Sequence, residues 1–578
     1  MKNNAIKRVV IHVLFKKKLL VIFLVLSIIV SMVLQFSPAF ILRNIIDQNF
    51  AKGITQGVWE LAILYLLVVS ASNIVEFLKV AFTTLIGQSI LMDIRLKMAE
   101  RMSKFSINYF VKTPAGDTMS RLTADVDAVN SLFSAGIINV VTDMFKIGGL
   151  LVSLYVIAPQ LIFLEIAVIP TVYVFANFFR KRIYLFQKSV RIRISSIYTF
   201  IQEWIFGIRT VKAYSAEQRG KIKFEQLLSD LLKDVNKISL YDSWFPCVMQ
   251  MLRAIVIAIA LWYCVDNGLA LSNGLSIGTL VAVTDLIGKL FAPIEALATE
   301  FQTIQQSIAG ISRVNEFFSE PLEKREFRSQ PIQNSGIEIE NLSFCYDSFD
   351  VLKNLTLSIA NGEKAVLVGR SGAGKTTLMN IVSGLLAPQN GSVRICGVNP
   401  FELPPHERRS LIGVVPQSPQ IFDGTIAENI SLRDKTITQE HIEHASHSVG
   451  IHELIISLPN GYETIIGEGE AGLSSGEIQL LSIARAIVAN PKVLLLDEPT
   501  SGMDTHTEQK IFDAIRRTSE GRTILSISHR LSGIIDADTV HIVAQKGVVE
   551  SGSPEKLASL NGWYAMYSKI ENAGWGIS

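Results

Sequence analysis

Long runs of apolar residues in the first half of the chain predict helices that cross a membrane. A crossing helix needs about 20 residues, because an α-helix rises about 1.5 Å per residue and the hydrocarbon core of a bilayer is about 30 Å thick. Six runs have about this length. They cover about residues 19–42, 61–85, 137–157, 161–179, 248–265 and 277–296.

Basic residues mark alternate ends of these runs and predict their orientation. Clusters of Lys and Arg precede the first run and follow the second and the fourth, whereas the other connecting loops are poor in both residue types. Because basic loops stay on the cytoplasmic side, both ends of the chain are expected there. The first run is too long for a cleaved secretory signal. The pattern indicates a multi-pass membrane protein, and we expect it in the cell membrane of a bacterium.

The two longest inner loops keep apolar residues at helical spacing. They cover about residues 86–135 and 180–245 and contain few prolines. We expect the spans to continue through them as cytoplasmic helices, with breaks near 113–116 and 206–207, and the sixth span to run on to about residue 318. Three opposite-charge pairs inside the runs lie three or four residues apart, so each pair can meet on one helix. They are Glu76–Lys79, Asp143–Lys146 and Asp285–Lys289.

A polar, proline-bearing stretch at about 320–335 predicts a linker, and the pattern changes after it. Short apolar runs at 365–368, 493–496 and 523–527 alternate with helical segments, which is typical of an α/β domain with a mainly parallel sheet. The predicted architecture is therefore an all-α, six-helix transmembrane domain with long cytoplasmic extensions over 1–319, followed by an α/β domain over 336–578.

Composition excludes two broad classes. Hydrophobic residues make up 49% of the chain and charged residues 18%, against about a quarter charged in an ordinary soluble protein, so a purely soluble enzyme and a disordered chain are both disfavoured. The net charge is only +2, which argues against electrostatically driven nucleic-acid binding. The four cysteines show no CxxC pair and no metal-like spacing.

A glycine-rich segment predicts a phosphate-binding loop. It matches G-x-x-x-x-G-K-[ST], follows the apolar run at 365–368 and precedes a helical one, which is the context such a loop requires. Backbone N–H groups would face the phosphates, the Lys375 ammonium would neutralise them, and the Thr376 hydroxyl would bind Mg²⁺. The segment comprises Gly369, Arg370, Ser371, Gly372, Ala373, Gly374, Lys375, Thr376 and Thr377.

Two adjacent carboxylates end the apolar run at 493–496. Parallel strands deliver their carboxyl ends to the ligand crevice, so Asp497 and Glu498 are expected beside the phosphate loop. Asp497 would hold Mg²⁺ through water, and Glu498 would orient or deprotonate the attacking water. Taken alone, the pair could also end an ordinary strand in a solvated turn.

With these motifs in this order, the chain resembles the ATP-binding-cassette exporter half-transporters, in which six spans are fused to one nucleotide-binding domain. The resemblance covers nearly the whole chain and implies ATP and Mg²⁺ as cofactors. It implies that Tyr346 stacks on adenine, that Gln417 couples Mg²⁺ and the γ-phosphate to the membrane part, and that His529 contacts the γ-phosphate. It also implies that Asp504, in the loop after the acidic pair, belongs to the nucleotide site.

The segment that corresponds to the family's Leu-Ser-Gly-Gly-Gln signature departs from it. In the family, this segment faces the γ-phosphate held by the other subunit of a dimer. Ser474 and Gly476 keep the expected donors, whereas Ser475 adds a Cβ and Glu477 adds negative charge near a helix N-terminus. We expect both changes to weaken the anion site somewhat.

The resemblance implies an ATP hydrolase that exports its substrate as a dimer of half-transporters. A homodimer is favoured, and a heterodimer with a second half-transporter stays open. The cargo could be a lipid, a drug-like amphiphile or a peptide. An ATP-gated channel or a regulatory membrane ATPase with the same architecture is the alternative function. An importer and a soluble ATPase acting on nucleic acid are disfavoured.

Overall fold

The computed structural model describes residues 5–50, 57–266, 276–323, 325–346, 349–467, 472–501, 503–528, 536–560 and 562–572. The chain forms two compact units, Met1–Leu322 and Glu323–Ser578. The first consists of helices over its described residues, and the second mixes strands with helices.

Helices of the first unit far exceed the length that a membrane requires. Four of them have 43 to 50 residues: α3, α8, α10 and α11. The helices are α1 (Ala5–Lys16), α2 (Lys18–Asn44), α3 (Val58–Met102), α4 (Ile107–Lys112), α5 (Ala115–Ser120), α6 (Val126–Ser131), α7 (Asn139–Ile157), α8 (Ile162–Phe206), α9 (Ile208–Ala213), α10 (Glu217–Asp266) and α11 (Ile277–Ser319). Turns of π-helix lie at Ile45–Phe50, Arg121–Asp125 and Leu132–Ile138, and a 3₁₀ turn lies at Pro159–Leu161.

The predicted continuations of the spans are confirmed as helices. α8 ends at Phe206 before Gly207, and α5 begins after Pro114, where breaks were predicted. The sequence pattern did not predict that α3 ends already at Met102. Phe105 leaves the helix there and packs edge-on against Phe317 of α11, with ring centroids 5.0 Å apart. This aromatic contact favours a turn over another helical residue.

Five helical segments in the described part of the chain are long and apolar enough to cross a membrane. The predicted fourth span lies at the start of α8, which is not among them, and the side chains of residues 162, 164 and 165 lie outside the described residues. The count of six spans therefore stays a prediction. The five segments are Lys18–Phe50, Val58–Met102, Ala115–Ile157, Glu217–Tyr263 and Ile277–Ser319.

A six-stranded sheet of order β11-β10-β3-β9-β8-β5 organises the second unit. The pairs along β10-β3-β9-β8-β5 are parallel, and β11 is antiparallel to β10. A three-stranded antiparallel sheet has the order β2-β1-β4, and β6 pairs with β7. The strands are β1 (Ile337–Tyr346), β2 (Phe349–Ile359), β3 (Lys364–Val368), β4 (Asn390–Ile395), β5 (Ile412–Val415), β6 (Gly424–Thr425), β7 (Ile465–Ile466), β8 (Val493–Asp497), β9 (Thr523–Ile527), β10 (Thr539–Ala544) and β11 (Gly547–Gly552).

Helices pack on this sheet and form its core. The apolar residues of β8 are buried, as expected for a parallel strand covered on both faces, and Leu494 belongs to the same buried cluster as Ile483 and Ile511 from two of the helices. The helices are α12 (Lys375–Val382), α13 (Pro405–Leu411), α14 (Ile426–Ser431), α15 (Gln439–Val449), α16 (His452–Ser457), α17 (Ser475–Ile487), α18 (Thr505–Ser519), α19 (Pro554–Ser559) and α20 (Trp563–Asn572).

The strand register brings the chain segments that carry predicted site residues to one edge of the sheet. The three predicted apolar strands are confirmed as β3, β8 and β9. Leu367 of β3 pairs with Ile527, and Ile527 also pairs with Asp497. The chain segments that follow these parallel strands therefore leave the sheet side by side.

Candidate nucleotide-binding and hydrolysis site

The predicted phosphate loop connects β3 to α12. Gly374, which precedes α12, has φ +96°, a conformation that L side chains rarely adopt, and the helix N-terminus has no side-chain cap. A Cβ on Gly369 would lie 2.3 Å from the Val543 carbonyl oxygen, so this position also requires glycine. The loop thus presents free helical N–H groups, which suits an anion such as phosphate.

Lys375 lies inside the curve of this loop. Its side chain is buried and its ammonium donates to the carbonyl oxygens of Gly369 at 2.7 Å and Arg370 at 3.1 Å. Burial lowers the pKa of Lys375, and the carboxylates of Glu498 and Asp497 oppose that shift. The ammonium and the two carboxylates are thus near enough for their charges to interact.

The acidic pair lies where β8 ends. Burial raises the pKa of Asp497, and the neighbouring charge of Glu498 raises it further. Glu498 has φ +45°, and its N–H donates to the Ile527 carbonyl oxygen at 3.3 Å. A non-glycine residue with this left-handed backbone conformation costs of order 1 kcal/mol or more. The surrounding structure therefore holds the Glu498 backbone in a locally unfavourable conformation.

Gln417 follows β5 and contacts the acidic pair directly. Its Nε2 donates to Glu498 Oε2 at 2.8 Å. The resemblance had assigned Gln417 to Mg²⁺ and the γ-phosphate, and it did not predict this link to Glu498. Lys375, Asp497, Glu498 and Gln417 are thus brought together at the carboxyl edge of the sheet.

Oxygen donors for Mg²⁺ are present around this group. The hydroxyl of Thr376 lies in the first turn of α12, and the Asp497 carboxylate and the Gln417 amide oxygen are the other candidates. Carboxylate, hydroxyl and amide oxygens are ligands that Mg²⁺ accepts, so the residues present fit the ion. Thr377, next in the helix, is buried.

Tyr346 ends β1 beside the phosphate loop. It pairs with Phe349 of β2, and Val351, two residues further along β2, lies 3.0 Å from a Cβ placed on Gly374. The Tyr346 ring packs edge-on against Phe344 at 5.0 Å between centroids. Its stacking on adenine stays a prediction. The predicted γ-phosphate contact, His529, lies outside the described residues.

The signature segment caps α17. The Ser474 hydroxyl accepts from the Glu477 N–H at 3.3 Å, and Glu477 Oε2 accepts from the Ser474 N–H at 2.7 Å, which is a reciprocal capping box. Glu477 therefore caps its own helix, a role that the resemblance to the family did not suggest. The Ser-x-x-Glu spacing was the sequence signal for it. Ser475 begins the helix beside this cap.

Two further positions join the signature helix to the acidic loop. A Cβ on Gly476 would lie 2.2 Å from Thr507 Cγ2 of α18, so glycine permits close packing of the two helices. Asp504 caps α18 by accepting from the N–H groups of His506 at 3.0 Å and Thr507 at 3.1 Å. The Asp504 carboxylate is thus occupied by its own helix, and its predicted contact with nucleotide stays a prediction.

Sequence reasoning missed Arg485 of α17. Its guanidinium donates to the carbonyl oxygens of Asn429 at 2.8 Å and Gln420 at 2.9 Å, and burial lowers its pKa. Gln420 lies three residues after Gln417, so Arg485 ties the segment that carries Gln417 to the signature helix. No motif in the sequence signals this contact.

Comparisons with known proteins agree with this fold. The family model described as ABC transporter transmembrane region matches residues 20–294, and the model described as ABC transporter matches 352–501. An ATP-dependent lipid A-core flippase of Syntrophus aciditrophicus (strain SB) is 32% identical over 93% of this chain and 90% of its own length. A flippase of the same name from Desulfotalea psychrophila (strain LSv54 / DSM 12343) is 29% identical over 99% of this chain and 100% of its own length.

The fold is also that of a solved transporter. A bacterial Atm1-family ABC exporter with ATP bound matches 98% of this chain and 99% of its own with a TM-score of 0.71 and 23% identity. A helical membrane domain followed by a P-loop α/β ATPase is the class that the fold and site define, as predicted. The chain belongs to the ABC transporter family, as a multi-pass exporter half-transporter whose ATP hydrolysis is coupled to transport.

Proposed function

We propose that this half-transporter exports an amphiphile across the cell membrane by alternating access, as a dimer that clamps ATP between two nucleotide-binding domains. The observation that supports the proposal is the Gln417–Glu498 hydrogen bond beside Lys375, since it joins the residue proposed to sense the nucleotide to the carboxylate proposed to activate water.

Each residue of the site has a distinct part in hydrolysis. The phosphate loop and Lys375 bind and neutralise the β- and γ-phosphates, and Glu498 orients the attacking water and accepts its proton. Mg²⁺, held by Thr376, Asp497 and Gln417, would supply further neutralisation of the phosphate charge. His529 is proposed to contact the γ-phosphate, as the resemblance implies.

Dimerisation would complete the site. Ser474 and the N-terminus of α17 offer a capped helix end for the γ-phosphate held by the partner, and Glu477 lowers the affinity of that end for an anion. A homodimer with two working sites is the favoured assembly. In a heterodimer, this chain's Glu498 would meet the partner's signature segment.

ATP would drive transport by shifting a conformational equilibrium. A ligand shifts such an equilibrium only by its difference in affinity for the two states. ATP contacts both nucleotide-binding domains only in the closed dimer, so it favours that state and the outward-open membrane domain, and hydrolysis restores the inward-open one. Both chain ends lie in the cytoplasm in this scheme.

The cargo is proposed to be a lipid or a lipid-like amphiphile. The support is the similarity over nearly the full chain to two proteins named as lipid A-core flippases. A drug-like molecule or a peptide is the alternative cargo within the same mechanism.

Uptake into inside-out vesicles tests the proposal. Vesicles with the wild-type chain should accumulate a fluorescent phospholipid analogue in the inner leaflet when ATP is added outside, and vesicles with Glu498→Gln should not. Equal ATP-dependent movement in both preparations, or movement without ATP, would contradict ATP-driven export by this site.

A further inference from the structure

A cluster of five charged side chains lies among the helices of the first unit. The pair Lys79–Glu76 on α3 and the pair Lys146–Asp143 on α7 form the ion pairs that the sequence predicted, the second at 3.4 Å. The fifth member is Glu300 of α11, close enough to Asp143, Lys146 and Lys79 for their charges to act on its carboxyl group. We call Glu76, Lys79, Asp143, Lys146 and Glu300 the five-charge cluster.

The five-charge cluster contains one carboxylate more than it has cations. Each lysine is paired with an acid on its own helix, so Glu300 is the additional acid. Glu300 is only 7% exposed, and among the described residues its Oε2 has no hydrogen-bond partner. A buried ionised carboxylate without a partner is costly, and a positive charge brought from outside the chain would offset that cost.

Two polar side chains of α2 extend the cluster. Ser31 of α2 donates its hydroxyl hydrogen to Glu76 Oε2 at 2.9 Å. One turn further along α2, on the same face, the buried Gln35 Oε1 also has no hydrogen-bond partner among the described residues. Glu76 exposes 42% of its side chain, so the cluster reaches the surface of the helical unit there.

The chemistry of the cluster argues against a bound metal ion. Groups of three or more His, Cys, Asp or Glu that could hold a metal are absent from the part of the chain that the structure describes. Two lysines in the cluster would also repel a divalent cation, whereas a single charge of low density on a large apolar group fits one spare carboxylate among apolar helices.

We propose that the five-charge cluster binds the cationic group of the exported amphiphile, with Glu300 as its counter-charge. This inference rests on the proposed function, since it names the substrate class of the same transporter. Charged residues inside membrane helices commonly mark a substrate pathway, and here the charge balance gives the sign of the ligand. A protonated amine or a quaternary phosphonium or ammonium group attached to an apolar body is the expected ligand.

Two ions of similar size and opposite charge test the expected sign of the ligand's charge. Tetraphenylphosphonium and tetraphenylborate would be measured by equilibrium dialysis against the full-length chain in lipid nanodiscs without nucleotide, with empty nanodiscs subtracted. The wild-type chain should bind the cation at least about tenfold more tightly than the anion. Glu300→Gln should weaken cation binding at least about tenfold and leave anion binding unchanged or stronger.

Three variants separate charge from structure. Glu300→Asp keeps the charge and should keep the preference for the cation. Glu316→Gln is the matched control, because Glu316 lies on the same helix and is exposed, and it should bind as the wild type does. Lys146→Met leaves Asp143 without its lysine and should strengthen cation binding, the opposite of the effect at Glu300.

The outcomes distinguish this inference from the proposed function. Equal binding of the two ions by the wild type, unchanged cation binding in Glu300→Gln, or equal loss of both ions in that variant would overturn the cationic site. Such a result leaves export intact if the same variants hydrolyse ATP and move the lipid analogue. Loss of ATP-dependent movement in the wild type instead would overturn the proposed function.

Discussion

Gln417 Nε2 donates a 2.8 Å hydrogen bond to Glu498 Oε2 across two neighbouring strands of the parallel sheet. β5 and β8 pair in register, with Val415 opposite Leu496, so the residues that follow them are neighbours although they lie 81 positions apart in the chain. We therefore expect that a change in the position of Gln417 also changes the orientation of the carboxylate proposed to act on water. In the proposed mechanism, this arrangement would link the response to nucleotide with the hydrolytic step.

Glu498→Gln is expected to bind ATP but to hydrolyse it at least about 100-fold more slowly. The amide keeps an oxygen that accepts from Gln417, so the geometry survives, but it cannot take the proton of the attacking water. Phosphate release at saturating ATP measures the effect. Glu520→Gln, an exposed change at the end of α18, is the control and should hydrolyse normally. Normal turnover in Glu498→Gln would show that another group activates the water.

Gln417→Glu is expected to lower kcat at least tenfold while ATP binding changes less than threefold. The new carboxylate would replace a donor with an acceptor and face Glu498, so the hydrogen bond would become a repulsion. Gln420→Glu makes the same change three residues later at an exposed side chain and should be silent. Equal effects of the two variants on kcat would show that Gln417 has no special role in hydrolysis.

Glu477→Gln is expected to lower the KM for ATP about two- to fivefold without changing Tm. The amide oxygen can still accept from the Ser474 N–H, so the cap persists while a negative charge near the anion site disappears. Glu477→Ala removes the cap as well and should lower Tm, since a lost cap costs about 1 kcal/mol. A higher KM in Glu477→Gln would mean that the negative charge assists the site.

Asp497→Asn is expected to raise the Tm of the nucleotide-free chain at neutral pH. Burial and Glu498 raise the pKa of Asp497, so the folded state holds this proton to a higher pH than the unfolded chain does. Stability is therefore lost as the pH rises from the unfolded value of about 4 through the folded pKa, and the variant avoids that loss. The difference should vanish below about pH 4.

Thermal unfolding of the full-length chain in nanodiscs measures this effect. Asp513→Asn on α18 is the control and should not show the pH-dependent gain. Adding ATP with Mg²⁺ should stabilise the wild type more than Asp497→Asn, because the variant loses the carboxylate proposed to bind Mg²⁺. A lower Tm for Asp497→Asn at neutral pH would contradict the unfavourable ionisation of Asp497 in the folded chain.

Much of the fold follows from local sequence patterns. Apolar runs bounded by turn residues predicted β3, β8 and β9, and helical spacing predicted that α8 and α10 continue far beyond a membrane. The phosphate loop was predictable because its residues are consecutive. These features depend on interactions within short segments, which a single sequence displays.

Contacts between distant segments were not predictable in the same way. The Gln417–Glu498 bond depends on β5 being the neighbour of β8, and Arg485 depends on α17 lying under the segment that contains Gln420. The end of α3 at Met102 likewise depends on where Phe317 of α11 lies. In each case the strand order or the helix packing decides the contact, and no local motif records it.

Retention of ATP by the Glu498→Gln chain tests the clamped dimer most directly. The full-length variant in nanodiscs would be loaded with ATP and Mg²⁺ and passed rapidly through a desalting column, and its mass and bound nucleotide would be measured. We predict a dimer that retains two ATP molecules, whereas Lys375→Ala in the same background retains none. A monomer in the presence of ATP, or a dimer that retains no nucleotide, would contradict the account.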